Sequence, residues 1–151
     1  MNPTMISSYF DILGKAQKAY TQMMEPVCRK WDLTRNELDV MLFLHNNPNY
    51  NRAADIVAHR GMTKSHVSLS VTNLAERGLL IREFSPTDRR AAFLLLSEQG
   101  QEIAREARLC QDAFFARLYE GVSAQEHQLM RAAMEKVWKN IENFDNSLTI
   151  V

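Results

Sequence analysis

Between residues 6 and 31 apolar side chains recur in steps of four and three: Ile6, Phe10, Leu13, Tyr20, Met24, Val27 and Trp31, with Gln17 as the polar break in the row. That spacing winds one apolar stripe along a long α-helix and makes a seam suited to packing against another helix. A second such seam, Met130, Met134, Val137, Ile141, Phe144 and Leu148, lies near the other end of the chain. Both helices extend past what the short centre between Leu33 and Leu96 can cover, and soluble monomers rarely expose apolar patches of that size. Pairing with the same helices of a second copy removes the problem; packing on each other within one chain is the alternative. The seams predict a homodimer. Its interface would hold Ile6, Phe10, Leu13 and Tyr20 from the first helix, and Met134, Val137, Ile141 and Phe144 from the last. Pro26 predicts a bend near the end of the first helix.

The centre is punctuated by caps and glycines. Thr34-Arg35-Asn36-Glu37 matches the S/T-x-x-E box that satisfies free amides at a helix start. Leu38, Met41, Leu42 and Leu44 carry that helix to Asn46-Asn47-Pro48. A short helix from about Arg52 to His59 stops at Gly61, a residue suited to the left-handed position after a helix. A second helix, Lys64 to Arg77, presents Val67, Val71 and Leu74 along one side and ends at Gly78. Two strand-like runs follow, Leu80–Phe84 and Ala92–Leu96, joined by a turn over Ser85 to Arg90 that contains Pro86 and Asp88. Ser97 starts a long helix with Ile103, Ala107, Cys110 and Phe114 on its buried stripe, and Ser123-Ala124-Gln125-Glu126 is a second capping box.

A helix of about eight residues, a tight turn, a helix of about fourteen and a hairpin make a winged helix-turn-helix. The predicted fold is therefore mainly α with a small β-hairpin wing. Residues 1–32 form an N-terminal dimerisation helix, 33–97 the DNA-binding core, and 98–151 a long helix and the C-terminal dimerisation helix. Opposite the buried stripe of the second helix lie Ser65, Leu69 and Thr72, with His66, Ser68 and Asn73 beside them. These short groups let a helix approach base edges in the major groove. Lys64 stands at the helix start, where backbone amides and a cation suit a phosphate.

Charge supports the same centre. The chain has 18 basic and 18 acidic residues. Between Arg52 and Arg90, however, seven basic side chains face four acidic ones, a basic middle between acidic flanks. At the wing tip, Asp88 is placed to hold one guanidinium, leaving Arg90 as a minor-groove probe and Arg89 as a phosphate contact. A solvated turn is the plainer reading of those three residues; the adjacent helix-turn-helix favours the wing.

The stretch MTKSHVSLSVTNLAERGLLIREFSPTDRRAAFLLLSEQG resembles the winged-helix core of MarR-type (multiple antibiotic resistance regulator) transcription factors. The similarity lies in a K-S-x-V-S helix, L-x-x-R-G-L-L at its exit, D-R-R in the wing, and L-S-E-Q-G where the family usually has L-T-x-x-G. The flanking helices also match the family's dimerisation helices in order and length. The resemblance implies a homodimer that binds a pseudo-palindromic operator on double-stranded DNA. It implies repression more often than activation, commonly relieved by a small-molecule effector or by oxidation. By position, Ser65, Ser68 and Leu69 correspond to the family's base-reading stretch, and Asp88 and Arg90 to its wing pair. The position of Leu69 often carries a basic or polar residue in the family, and an apolar side chain there suits a thymine methyl.

Other signals weigh little. Cys28 and Cys110 read as small packing residues rather than oxidation sensors, although Arg29 and Lys30 beside Cys28 would favour its thiolate. His45, His59, His66 and His127 form no metal-ligand spacing. Ser65 and His66 point in different directions on a helix and are not a nucleophile and its base. No enzyme, metal or cofactor is expected, nor any membrane partner. The start of the chain lacks the pattern of a secretion signal, so a reduced cytoplasmic protein is expected. The methionines with Trp31, Phe43, Phe114 and Phe115 suit either a core or an adaptable ligand pocket. The competing functional class is a helical homodimeric protein-interaction module that binds no specific DNA.

Overall fold

A computed structural model describes residues 3–84 and 92–145. Helix α1 (Pro3–Trp31) is followed by α2 (Arg35–Asn46), α3 (Ala53–Arg60) and α4 (Lys64–Glu76). Strands β1 (Leu80–Phe84) and β2 (Ala92–Leu96) come next, then α5 (Glu98–Leu118) and α6 (Ala124–Asp145). The architecture is mainly helical with a single two-stranded antiparallel sheet among the described residues. The segment 85–91, on which Asp88, Arg89 and Arg90 fall, lies outside the described residues, as do the side chains of Ile6 and Phe144.

Local chemistry sets most boundaries. The Thr34 hydroxyl accepts from the Glu37 amide at 3.2 Å, and a Glu37 carboxylate oxygen accepts from the Thr34 amide at 2.8 Å, closing the capping box of α2. Helix α3 ends at Gly61 with φ of 70°, and Thr63 then caps α4 by accepting from the His66 amide. Helix α1 runs unbroken through Pro26. It ends with Asp32 at φ 50°, left-handed without glycine, and the Leu33 amide reaches back to the Cys28 carbonyl at 2.8 Å. That six-to-one bond is the Schellman closure, here with buried Leu33 and Cys28 as its apolar contact.

The residues up to Phe115 form one compact unit and those from Ala116 a second. In the first, α2 occupies the centre: Leu38, Val40, Met41, Leu42, Phe43 and Leu44 are all buried. Around it pack Ile56 of α3, the Val67–Val71–Leu74 stripe of α4, Leu80 and Leu94 of the strands, and Ile103 and Ala107 of α5. Strand register pairs Leu80 with Leu96, Arg82 with Leu94 and Phe84 with Ala92, so these six share one side of the sheet.

Helix α1 divides along its seam. Met24 and Val27 are fully buried in the first unit, whereas Phe10 is 68% and Leu13 48% exposed in the single chain. Tyr20 sits at the division: its ring packs on Phe114 at 5.0 Å and its hydroxyl accepts from the Gln111 amide nitrogen at 2.8 Å. In the second unit, α6 starts at the Ser123–Glu126 box. Met134, Val137 and Ile141 are exposed on it, together with Trp138.

The L-S-E-Q-G motif has a steric origin. The Ser97 amide donates to the Leu79 carbonyl at 3.1 Å, drawing the start of α5 onto the exit of α4. A Cβ at Gly100 would overlap that same Leu79 carbonyl oxygen. Gly100→Ala is therefore expected to destabilise by roughly 1–3 kcal/mol through forced overpacking of backbone. At about 2–4 °C per kcal/mol for a chain of this size, the melting temperature falls by several degrees. An unchanged melting curve would contradict this close approach.

Candidate nucleic-acid interface

The stripe that binds α4 to the core determines what the helix presents to solvent. With Val67, Val71 and Leu74 buried, Lys64, Ser65, His66, Ser68 and Leu69 are exposed, Leu69 at 62%. Six residues of α4's first two turns thus include four hydrogen-bonding groups or cations and one leucine with no core to join. Ser70, unremarked in the helical pattern, is buried beside the stripe.

Two residues expected on the outer face are engaged within the protein. Thr72 is half-buried, and its hydroxyl accepts from an Arg82 guanidinium nitrogen at 2.9 Å. Asn73 is turned toward α2, where its amide nitrogen donates to Glu37 at 3.0 Å. Its donor is committed to a carboxylate rather than available on the Ser65–Leu69 side.

Between α3, α4 and the strand pair lies an open groove of about 680 Å³. Ala54, Val57 and Val71 form part of its floor, and Arg52, Lys64 and Arg82 contribute cationic side chains to its lining. Arg52 stacks over the Phe93 ring at 5.0 Å, which fixes its stem while leaving its charge at the surface. The sequence pattern singled out neither Arg52 nor Arg82. Arg82 carried a signal nonetheless: it is the charged member of the otherwise apolar alternation Leu80, Arg82, Phe84. Arg82 remains exposed and its guanidinium reaches back to the Thr72 hydroxyl on α4.

Glu37 is the buried charge nearest this face, only 4% exposed. Burial alone pushes its carboxyl up. The Thr34 amide, the Asn73 side chain, the Thr34 hydroxyl and the charge of Arg77 outweigh that and hold it below the ordinary carboxylate range. Cys28 shows the opposite balance: burial pushes its thiol up against the opposing charge of Arg35, so Arg29 and Lys30 do not make it a thiolate. Among the described residues, no helix is long and apolar enough to cross a membrane.

A family model described as "MarR family" matches residues 31–91, from the last residue of α1 to the residue before β2. The chain is 28% identical over 131 residues to the HTH-type transcriptional repressor IacR of Pseudomonas putida, covering 86% of this chain and 77% of that one. Over residues 31–91 this chain is similar to MarR-family regulators. Solved structures of such regulators share its fold. A MarR family transcriptional regulator from Listeria monocytogenes complexed with 26mer DNA superposes with a TM-score of 0.79 at 17% identity, covering 89% of each chain. CouR from Rhodococcus jostii RHA1, bound to p-coumaroyl-CoA, gives 0.69 at 23% identity, covering 84% of this chain and 86% of that one. In this winged-helix fold the helix-turn-helix is α3–α4 and the strand pair is the base of the wing.

Because Glu37 titrates below the unfolded value of about 4.3, its stabilisation is present at neutral pH and lost as pH falls through the lower folded value. Glu37→Gln is expected to cost about 1–3 kcal/mol at pH 7, because a neutral amide cannot accept both the Thr34 and Asn73 donors equally well. The gap between the two proteins should close between about pH 5 and pH 3 in urea titrations. An equal gap at pH 7 and pH 3.5 would show that the carboxylate's charge is not what stabilises the junction.

Proposed function

We propose that this protein is a MarR-type transcriptional regulator that acts as a repressor, binding a two-fold symmetric operator as a homodimer through α4. The observation that carries the reading is the outer face of α4: short polar groups and Lys64 stand free because the apolar stripe is spent on the core. A helix so presented enters a major groove with its first turns against base edges. Ser65, Ser68 and Leu69 read sequence, with His66 beside them. Lys64, Arg52 and Arg82 meet backbone phosphates, and Thr72 orients Arg82 for that contact. Arg90 enters the flanking minor groove, held by Asp88, while Arg89 meets a phosphate.

The division of labour follows the chain. Residues 33–97 bind DNA, while 1–32 and 98–151 supply the dimer. The exposed Phe10 and Leu13 of α1, and Val137 and Ile141 of α6, are the surfaces a second copy covers. IacR is named a repressor and CouR was solved with p-coumaroyl-CoA, which supports repression here and release by a small organic ligand. The protein is not an enzyme, and it works in the cytoplasm, where operator DNA is found.

Binding of the full chain to its own upstream region, followed by fluorescence anisotropy at two salt concentrations, tests the reading. Lys64→Ala should reduce the slope of log affinity against log salt by about one unit and weaken all sequences alike. Leu69→Ala should instead relax the preference for thymine at one position per half-site, by roughly 1–3 kcal/mol of discrimination, with the melting temperature unchanged. Equal affinity for the upstream region and unrelated DNA in the wild type would overturn specific regulation. A large melting shift with unchanged base preference would remove Leu69 from the reading surface.

A further inference from the structure

The end of α1 is held from two sides. Arg77, just past the last residue of α4, donates from Nη1 to the Asp32 carbonyl and from Nη2 to the Trp31 carbonyl, both at 2.7 Å. These carbonyls belong to the negative end of α1, where the chain turns left-handed at Asp32. A planar guanidinium spans two such oxygens at once; a lysine ammonium has no matching fork. One turn earlier on α4, Asn73 donates to Glu37 at the start of α2. From the other side, Glu106 of α5 accepts from Lys30 Nζ at 2.8 Å and from the Trp31 indole nitrogen at 2.9 Å. The junction between α1 and α2 is thus tied to the recognition helix by two side chains spaced i, i+4, and tied to α5 by a third.

We propose that Arg77 and Asn73 are positioning residues that lock the recognition helix to the end of the dimerisation helix and so set the half-site separation the dimer accepts. The proposal rests on the reading of α4 as the DNA-reading helix. Rotation or sliding of α4 against α1 breaks the fork, because both bonds share one rigid guanidinium and two consecutive carbonyls. The same helix α1 carries the exposed Phe10 and Leu13 toward the dimer contact. Besides the packing of both helices on α2, the polar link from one recognition helix toward its symmetry mate therefore runs through Arg77. Arg77 is itself exposed and contributes nothing to the apolar core, so its replacement leaves that core intact.

The test measures affinity of the full-length protein for an operator selected from a random DNA pool, and for versions with one or two base pairs inserted or removed between the half-sites. Half-sites about one helical turn apart, roughly 10 base pairs, define the starting register. Wild type should lose about thirtyfold per inserted pair, whereas Arg77→Ala should lose only about threefold and accept a broader range of spacings. Arg77→Lys keeps the charge and should behave like Arg77→Ala, while Asn73→Ala should broaden the profile to a lesser degree. Affinity for unrelated DNA at the same salt should stay within about twofold in all three, since no phosphate contact is removed. An Arg77→Ala profile parallel to wild type, weaker by the same factor at every spacing, would overturn the proposal, as would restoration of wild-type behaviour by lysine. Should Arg77→Ala melt early, Arg77→Lys carries the comparison alone. A wild-type protein with no preferred spacing would fail differently: it would remove the operator reading itself, and the positioning role with it.

Discussion

The Glu37 carboxylate, buried where α2 begins, imposes an arrangement on its surroundings. A charge removed from water must be met by donors, and three come from two places: the amide and hydroxyl of Thr34, and the side chain of Asn73 on α4. The first two begin a helix whose next residues form the centre of the core. The third draws α4 in at one angle. The stripe Val67, Val71 and Leu74 is turned inward by the helical period and leaves Ser65, Ser68 and Leu69 outside, while Asn73, half-buried at the margin of that outer face, reaches across to Glu37. The same carboxylate therefore caps a helix and ties α4, the proposed recognition helix, to it.

Helix α1 joins two tasks in one element. Its later seam residues, Met24 and Val27, are consumed by the core, while its earlier ones, Phe10 and Leu13, remain exposed. A continuous helix of 29 residues transmits orientation between these ends far better than a loop would. That continuity matters for the proposed function, in which the DNA-binding core and the surface that pairs two copies are joined by this one helix. Tyr20, at the change from one role to the other, is held by Phe114, Gln111 and the Arg35 guanidinium 4.6 Å above its ring.

Much of the fold was legible in the sequence because it is local. The Thr34–Glu37 and Ser123–Glu126 boxes, the stop at Gly61, the strand limits and the inward stripe of α4 each depend on neighbours within a few residues. The outward placement of Ser65, Ser68 and Leu69 followed from the same period. What escaped is long-range. Asn73 looked like a groove residue, since nothing within a turn of it names Glu37, 36 residues earlier, as its partner. Arg77 and Arg82 looked like general surface charge, yet one caps α1 from 46 residues away and the other holds Thr72 across the strand. The helix-turn-helix and its strand pair were readable; the side-chain ties that aim α4 required coordinates.

We propose that α4 and the strand pair form the DNA surface while the terminal helices stay clear of it. Hydrogen–deuterium exchange of the full-length protein, with and without a selected operator, examines both halves of that claim at once. Exchange should slow in peptides spanning residues 61–76 and 80–96 on adding operator, with no change over residues 124–145. Protection confined to the terminal helices, with α4 exchanging as in the free protein, would contradict it.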